Sequence, residues 1–355
     1  MKFKKLNSDQ LINFIEYLAD EYKVIAPFQV EDGRLKRTLL KELENKENIP
    51  AIYLKEMPDT APKNFLLPRE ETLASDKRGA DFKPDRWAEE KRVFFGIRSC
   101  DLSAVQIFDD VFLEDDFQDP FYKSRRENSL FIAYANQNLP QNNFQQSLGI
   151  DFFEHELASL FLYEDLETED EYKYYLKVKE NELSEEVNDF IDSLKDFSEE
   201  KINELLGKWR NKIEESNEFE IESSLPFPEE EAFNKVNWFT PTSSCLGCGV
   251  CTFYCPTCFC FHFYWEGKER QRGWDSCMFS LFTQHASGHN PREEQHQRWR
   301  QRLMHKFSYH PANFGEAGCV GCGRCINKCP VNLDIRKVIN AVDTTLREEV
   351  TENES

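Results

Sequence analysis

The sequence lacks several features that would define its class at once. No apolar run in its 355 residues approaches the ~20 that a membrane-spanning helix needs. The opening residues, MKFKKLNSDQ, lead into an amphipathic segment and contain no signal-type apolar core. The G-x-G-x-x-G fingerprint, the P-loop, the nucleophile elbow and the H-E-x-x-H pair are also absent. We therefore expect a cytoplasmic protein, and no residue set in it indicates bond-making chemistry of its own.

Positive charge is scarce as well. Lys and Arg number 44 against 65 Asp and Glu, so the formal net charge is −21. Such an acidic surface repels the phosphates of nucleic acids and anionic lipids, which argues against either as a main partner. Ordinary solubility explains this charge, and an acidic surface also steers basic redox partners towards the protein.

Cysteine, in contrast, is abundant, with 12 residues. Residues 245–256 and residues 319–330 both follow the spacing C-x2-C-x2-C-x3-C-P; we call them the first run and the second run. Bacterial ferredoxins use this spacing to hold two [4Fe–4S] clusters. Three thiolates of each run bind one cluster, and the fourth ligates the other cluster.

This crossed pattern assigns four cysteines to each of two [4Fe–4S] clusters. The first thiol set is Cys245, Cys248, Cys251 and Cys329; the second thiol set is Cys319, Cys322, Cys325 and Cys255. Disulfides would need an oxidising compartment, which nothing in the sequence suggests. Zinc sites usually pair two C-x2-C units without the third cysteine or the C-P. The eight thiols are therefore predicted as cluster ligands.

Four cysteines belong to neither set: Cys100, Cys258, Cys260 and Cys277. Four is the number that a third cluster needs, and the sequence CPTCFC places two of them directly after the first run. A Cys-x-Cys pair alone is not a standard way to hold a cubane, and free cysteine is often simply buried. Both explanations remain open at this stage.

The predicted fold class is α+β with several domains. Residues 1–215 are predicted to form an α/β domain with a helical extension, and residues 216–243 a linker. Residues 244–332 form a helical dicluster ferredoxin-type domain, and residues 333–355 a C-terminal helix and a polar tail. In the first domain, a helix over 8–21 with Ser8 as its cap and strands over 92–97, 130–135 and 172–178 are the clearest elements.

The long stretch between the two runs has helical patterning. Asn290 and Pro291 are typical of a helix start, and apolar residues then recur at four-residue steps. Its arginines are Arg292, Arg298, Arg300 and Arg302. They either lie beside an anionic cluster or an acidic partner, or they form a solvated helix face. After the second run, Asp334 is predicted to cap the last helix.

Several segments resemble one known family. They are residues 95–112 (FGIRSCDLSAVQIFDDVF), residues 119–127 (DPFYKSRRE) and the whole of 244–332, which includes CPTCFC, GWDSC, GHNPR and MHKFSYHP. They are similar to the iron–sulfur β subunits of cytoplasmic NiFe hydrogenases of the sulfhydrogenase type. They are also similar to the A subunit of anaerobic sulfite reductase.

The resemblance implies an electron-transfer subunit. In this family the subunit links a flavin subunit that takes hydride from NAD(P)H with a catalytic redox subunit. Relatives often carry further cysteines after the strand that corresponds to 130–135, whereas residues 136–145 of this chain contain none. If those thiols help to bind a third cluster together with the counterpart of Cys100, this chain has lost that site.

The sequence is compatible with three functions. The first is an electron-transfer subunit that links an NAD(P)H/flavin subunit with a hydrogenase-like catalytic subunit. The second is the A subunit of an anaerobic sulfite reductase, which differs from the first in its partner and not in its local chemistry. The third is a flavin-dependent reductase with its own substrate site in residues 1–180, which bound flavin in the isolated chain would indicate.

Overall fold

The computed structural model describes residues 2–32, 35–75, 90–179, 183–216, 221 and 225–353. The contacts between residues divide the chain into two compact units. The N-terminal unit comprises Met1–Leu67, Lys83–Pro140 and Gly149–Glu218, and the C-terminal unit comprises Pro68–Phe82, Gln141–Leu148 and Phe219–Ser355. The fold is α+β with more than one domain, as the sequence predicts.

Strands and helices are interspersed along the chain. The strands are β1 (Lys2–Leu6), β2 (Lys23–Asp32), β3 (Leu35–Glu42), β4 (Glu70–Ala74), β5 (Arg92–Ile97), β6 (Ser129–Asn136), β7 (Leu160–Glu164), β8 (Tyr174–Val178), β9 (Lys195–Asp196), β10 (Phe261–Glu266) and β11 (Glu269–Trp274). The α-helices are α1 (Ser8–Glu21), α2 (Lys63–Leu66), α3 (Ser99–Phe112), α4 (Pro120–Glu127), α5 (Glu185–Ser193), α6 (Glu199–Ser216), α7 (Glu229–Lys235), α8 (Phe239–Thr242), α9 (Val250–Phe253), α10 (Gln295–Met304), α11 (His310–Phe314), α12 (Arg324–Asn327) and α13 (Ile335–Asn353). A π-helical turn (His305–Tyr309) joins α10 to α11, and 3-10 turns cover Lys46–Ala51, Gln145–Leu148 and Ser280–Thr283.

An eight-stranded sheet forms the centre of the N-terminal unit. Its strand order is β3-β2-β5-β6-β7-β8-β1-β9. The four strands from β2 to β7 in this order are parallel, and the flanking strands are antiparallel. Every residue of β5 is buried, as expected for a parallel strand that is covered on both faces. The strands predicted over 92–97, 130–135 and 172–178 are confirmed as β5, β6 and β8.

The first helix begins one residue earlier than its predicted cap implies. The Asn7 side chain accepts a hydrogen bond from the backbone N–H of Gln10 at 2.9 Å, and the Gln10 side chain accepts one from the backbone N–H of Asn7 at 3.0 Å. This reciprocal pair is a capping box. Ser8 is therefore the first helical residue and not the cap, because Asn7 has the partner that completes the box.

Helices dominate the core of the C-terminal unit. Trp299, Leu303 and Phe307 from α10 and the π-helical turn are buried there. The apolar face of α13 is buried in the same core, at Ile335, Val338, Ile339 and Val342. Asp334 accepts a hydrogen bond from the backbone N–H of Arg336 at 2.9 Å, which is consistent with its predicted role as cap.

The two units have different boundaries from the domains that the sequence predicts. Residues 225–243 lie within the predicted linker, but they contain α7 and α8, and Phe227 and Trp238 are buried in the C-terminal core. Residues 68–75 belong to the C-terminal unit because β4 pairs with β11. The last helix extends to Asn353 and so covers most of residues 333–355, for which the sequence predicts a helix and a polar tail.

The stretch between the runs is only partly helical. It contains the β10–β11 hairpin, which the sequence analysis did not predict. The helix α10 begins at Gln295 after the cap Glu294, and not at Asn290. Asn290 instead accepts a hydrogen bond from the backbone N–H of Arg292 at 2.9 Å, a local turn that competes with helix formation. In the described residues, no helix is long and apolar enough to cross a membrane.

Candidate metal centre

The two cysteine runs fold in the same way. In each run a glycine follows the second cysteine and has a left-handed backbone, with φ of 73° at Gly249 and 77° at Gly323. Each glycine starts a single helical turn, α9 in the first run and α12 in the second. Glycine adopts this conformation without the steric cost that a Cβ atom brings. The repeated spacing in the sequence therefore corresponds to a repeated loop in the structure.

A cavity of about 20 Å³ brings cysteines of both runs together. Its lining includes all four members of the first thiol set, Cys245, Cys248, Cys251 and Cys329, together with Cys325. Apolar side chains, among them Met278 and Trp299, form the rest of its wall. The fourth cysteine of the second run thus lies with the first three of the first run.

Backbone and side-chain donors point at the sulfurs of this cavity. The Cys245 Sγ accepts hydrogen bonds from the backbone N–H of Gly247 at 3.4 Å and from Gln295 Nε2 at 3.3 Å. The Cys329 Sγ accepts one from the backbone N–H of Leu333 at 3.2 Å. Such donors favour the thiolate form, which is the form that binds a metal.

The members of the second thiol set are near one another inside the C-terminal unit. Burial raises the pKa of Cys325 well above its usual value, and Cys255, Cys322 and Cys319 raise it further. Cys255 and Cys322 are buried, and the Cys255 Sγ lies 3.3 Å from the Thr257 hydroxyl. The structure therefore gathers this set in a region with little water.

The segment Gln141–Leu148 packs directly on the second run. The backbone N–H of Phe144 donates to the carbonyl of Gly321 at 2.7 Å. A Cβ atom on Gly321 would lie 2.5 Å from the backbone nitrogen of Gln145, so only glycine fits there. This contact places part of the cysteine-free segment 136–145 against the loop that carries Cys319 and Cys322.

The sequence left open whether Arg302 lies beside a cluster or on a solvated helix face. It is only 2% exposed. Its Nη1 donates to Cys258 Sγ at 3.2 Å and its Nη2 to the carbonyl of Cys251 at 3.3 Å. Burial lowers its pKa, but the nearby thiols raise it more, so that the pKa is well above the usual value. Among these thiols are Cys251 of the first set and Cys325 of the second set.

Lys306 is a second buried cation of this unit, and nothing in the sequence indicated it. It lies in the π-helical turn, a rare element that is frequent at functional sites. Its Nζ donates to the Thr257 hydroxyl and to the carbonyl of Gly318, both at 2.7 Å. Burial lowers its pKa and the thiols of Cys255, Cys258 and Cys319 raise it, with a net increase.

The four remaining cysteines separate into two groups. Cys100 is completely buried near the start of α3 in the N-terminal unit. Cys258, Cys260 and Cys277 lie in the C-terminal unit and line a different cavity from that of the first thiol set. We call these three the residual thiol group.

The thiols fit a cluster better than a single ion. In the part of the chain that the structure describes, no three His, Cys, Asp or Glu side chains converge as the ligands of one metal ion do. A cubane has four irons, each bound to its own thiolate, so its ligands stand around it and do not converge on one point. Burial also raises the pKa of Cys251 and Cys319, so their ionised forms need a compensating cation such as iron.

Comparisons with known proteins agree with this description. Residues 244–333 match the 4Fe-4S dicluster domain family. The chain is 29% identical to sulfhydrogenase 2 subunit beta of Pyrococcus furiosus over 358 aligned residues, which cover 96% of this chain and 98% of that protein. The resemblance to the iron–sulfur β subunits of hydrogenases is thereby confirmed. This protein is a homologue of a sulfhydrogenase β subunit over nearly its whole length and has a 4Fe-4S dicluster domain.

Proposed function

We propose that this chain is an electron-transfer subunit with two [4Fe–4S] clusters, which links an NAD(P)H/flavin subunit with a hydrogenase-like catalytic subunit. The first thiol set holds one cluster and the second thiol set holds the other. When bound, such clusters accept and release one electron at a time. The observation that carries the proposal is the cavity in which Cys329 joins Cys245, Cys248 and Cys251.

The surroundings of the first thiol set suit electron exchange with a partner. Cys248 is exposed, and the adjacent Leu246 is 67% exposed. An exposed apolar side chain beside a redox site offers a contact surface for another protein. We therefore assign the loop around Leu246 as the place where one partner subunit docks.

The surroundings of the second thiol set suit an inner position. Cys255 and Cys322 are buried, and the backbone of Gln141–Leu148 covers the loop at Gly321 and Gly323. Arg302 lies near thiols of both sets, so its positive charge stabilises negative charge that is added to either cluster. Its role in the proposal is to hold that charge and to keep water out.

The crossed ligation gives the sharpest test of the two-cluster arrangement. We expect Cys329→Ser to disturb the same cluster as Cys245→Ser, although Cys329 is closer in sequence to Cys319. The physical reason is that the Cys329 side chain lines the cavity of the first thiol set. The measurement is electron paramagnetic resonance of the three chemically reduced variants, prepared without oxygen.

The comparison variant is Cys319→Ser, which removes a thiol of the second set. Loss of the same signal in Cys329→Ser and Cys245→Ser, and of the other signal in Cys319→Ser, is the expected result. A Cys329→Ser spectrum that matches Cys319→Ser would contradict the assignment. Stoichiometric zinc, or about two irons per chain, would contradict the clusters themselves.

A further inference from the structure

Lys306 contacts both chain segments that supply cysteines to the second thiol set. Its Nζ donates a hydrogen bond of 2.7 Å to the hydroxyl of Thr257, which closely follows Cys255. It donates another of 2.7 Å to the carbonyl of Gly318, which directly precedes Cys319. The backbone carbonyl of Lys306 also accepts a hydrogen bond from the backbone N–H of Gly318 at 2.7 Å. One residue therefore holds the segments of Cys255 and Cys319 together.

The Thr257 hydroxyl connects this ammonium group to a sulfur of the set. Its Oγ1 accepts from Lys306 Nζ, and it lies 3.3 Å from Cys255 Sγ and 2.9 Å from the carbonyl of Gly318. A hydroxyl has one hydrogen to donate, so it bonds to either the sulfur or the carbonyl. A thiolate is the stronger acceptor of the two because it is charged. Ionised Cys255 therefore receives the hydrogen of Thr257, and polar contacts link Lys306 to the sulfur.

The charge of Lys306 is buried among thiols. The residue is 4% exposed. The neighbours that raise its pKa are the thiols of Cys255, Cys258 and Cys319, of which the first and the last belong to the second thiol set. Burial excludes water from around the ammonium group, so its field acts on nearby sulfurs with little screening. Lys306 therefore supplies a fixed positive charge on the side of the second thiol set.

The hydrogen bonds to the first thiol set come from groups of a different kind. The donors to Cys245 and Cys329 are two backbone N–H groups and the side-chain amide of Gln295, which are all neutral. Arg302 lies near thiols of both sets, so its charge acts on both. Lys306 is therefore a cation whose contacts distinguish the second thiol set from the first.

We propose that Lys306, acting through Thr257, is the residue that makes the buried second cluster easy to reduce. This inference rests on the two-cluster function proposed above. An added electron brings one negative charge into a region with little water, and such a charge is costly there unless a cation lies nearby. Lys306 offsets that cost, and the hydrogen bond from Thr257 to the Cys255 sulfur adds to the same effect.

The consequence is a route for electrons from the surface inwards. Leu246 and Cys248 are exposed beside the first thiol set, whereas Cys255 and Cys322 of the second set are buried. Burial alone would make the inner cluster the harder one to reduce, and an electron would stay on the outer one. With Lys306 in place, the inner cluster competes for the electron.

The test compares reduction potentials in the full chain, purified and loaded with clusters without oxygen. Lys306→Met removes the charge and keeps an unbranched side chain. The equilibrium constant for reduction of the second cluster should fall about tenfold relative to that of the first, which equals about 59 mV for one electron. A redox titration followed by electron paramagnetic resonance measures both potentials, and the spectra of Cys245→Ser and Cys319→Ser assign the two signals.

Two further variants make the result specific. Thr257→Val keeps the shape of the side chain without the hydroxyl, and it should lower the same potential by a smaller amount. This measurement does not depend on whether Lys306→Met folds. Lys268→Met is the matched control, because Lys268 is an exposed lysine in the turn between β10 and β11 of the same unit. It should leave both potentials unchanged.

Equal shifts of both potentials in Lys306→Met, or no shift of either, would overturn the proposal. If Lys306→Met loses the second signal altogether, Thr257→Val decides. A lower potential of the second cluster in that variant supports the proposal, and an unchanged potential overturns it. A parent protein without two [4Fe–4S] signals would instead count against the electron-transfer function itself, so the two failures are distinguishable.

Discussion

At the scale of single residues, His155 is an imidazole that the fold keeps neutral. Its Nδ1 accepts a hydrogen bond from the backbone N–H of Leu157 at 3.2 Å, so the proton belongs on Nε2, which lies 3.1 Å from the Ser103 hydroxyl. Burial lowers its pKa to about 4; Glu156 opposes this change and Lys179 adds to it. A second proton would have to occupy Nδ1 and break the bond to Leu157.

This imidazole makes the stability of the folded state depend on pH. Above pH ~6.5, the usual pKa of histidine, His155 is neutral in both the folded and the unfolded chain, and its contacts contribute fully to stability. As the pH falls towards 4, His155 binds a proton in the unfolded chain but stays neutral in the folded chain. The free energy of unfolding therefore decreases. We expect His155→Gln to shrink the difference in melting temperature between pH 7 and pH 5.

The control for this prediction is His289→Gln, which replaces an exposed imidazole. It should leave the difference between the two melting temperatures as in the parent protein. Thermal denaturation at both pH values, followed by circular dichroism, provides the measurement. An unchanged difference in His155→Gln would show that another group causes the acid sensitivity.

Among the candidate site residues, the eight cysteines could be proposed from the sequence because their spacing is local, and their role as cluster ligands stays a prediction. Within twelve positions, a C-x2-C-x2-C-x3-C-P run contains the full cysteine spacing that is typical of a [4Fe–4S] ferredoxin. The burial of Arg302 could not be predicted in this way. It depends on groups far away in sequence, the carbonyl of Cys251 and the thiol of Cys258. The sequence of the helix alone does not distinguish a buried arginine from a solvated one.

At the scale of elements, the loop of the second run depends on close backbone contact. Gly321 has φ of 62°, and an added Cβ would lie 2.5 Å from the backbone nitrogen of Gln145. The covering segment would have to move away from the thiols of the second set. We therefore expect Gly321→Ala to lower the occupancy of the second cluster, measured as loss of its electron paramagnetic resonance signal.

Gly288→Ala separates steric contact from backbone strain. Gly288 has a similar left-handed backbone, with φ of 85°, and nothing lies within 4 Å of its added Cβ. This variant should cost about 1 kcal/mol from strain alone and keep both signals. Equal loss of the second signal in both variants would mean that the contact with Gln145 is not what maintains the loop.

The sheet that includes β10 and β11 shows where element prediction fails. β4 pairs with β11 although about two hundred positions separate them, and no local pattern can reveal such a partner. The pairing is held by a buried ion pair, in which Arg272 Nη2 donates to Glu71 Oε1 at 2.6 Å. Helices such as α1 and α13 were predictable because apolar periodicity and caps are local. The place of β4 in the C-terminal unit could not be inferred from the sequence for the same long-range reason.

At the scale of the whole molecule, the expected behaviour is that of a subunit without turnover of its own. NAD(P)H delivers two electrons together as hydride, whereas the proposed clusters accept one electron at a time, so a flavin on a partner must stand between them. We expect NADH or NADPH, added without oxygen to the isolated chain, to leave its visible iron–sulfur absorbance unchanged. A chemical reductant should bleach that absorbance, and an artificial acceptor should restore it.

Addition of a flavoprotein partner should make NAD(P)H effective as a reductant of the clusters. The rate of this reduction should fall as salt screens the acidic surface of this chain, whose net charge is −21. Prompt bleaching by NAD(P)H alone, or flavin that stays bound through purification, would instead identify a reductase.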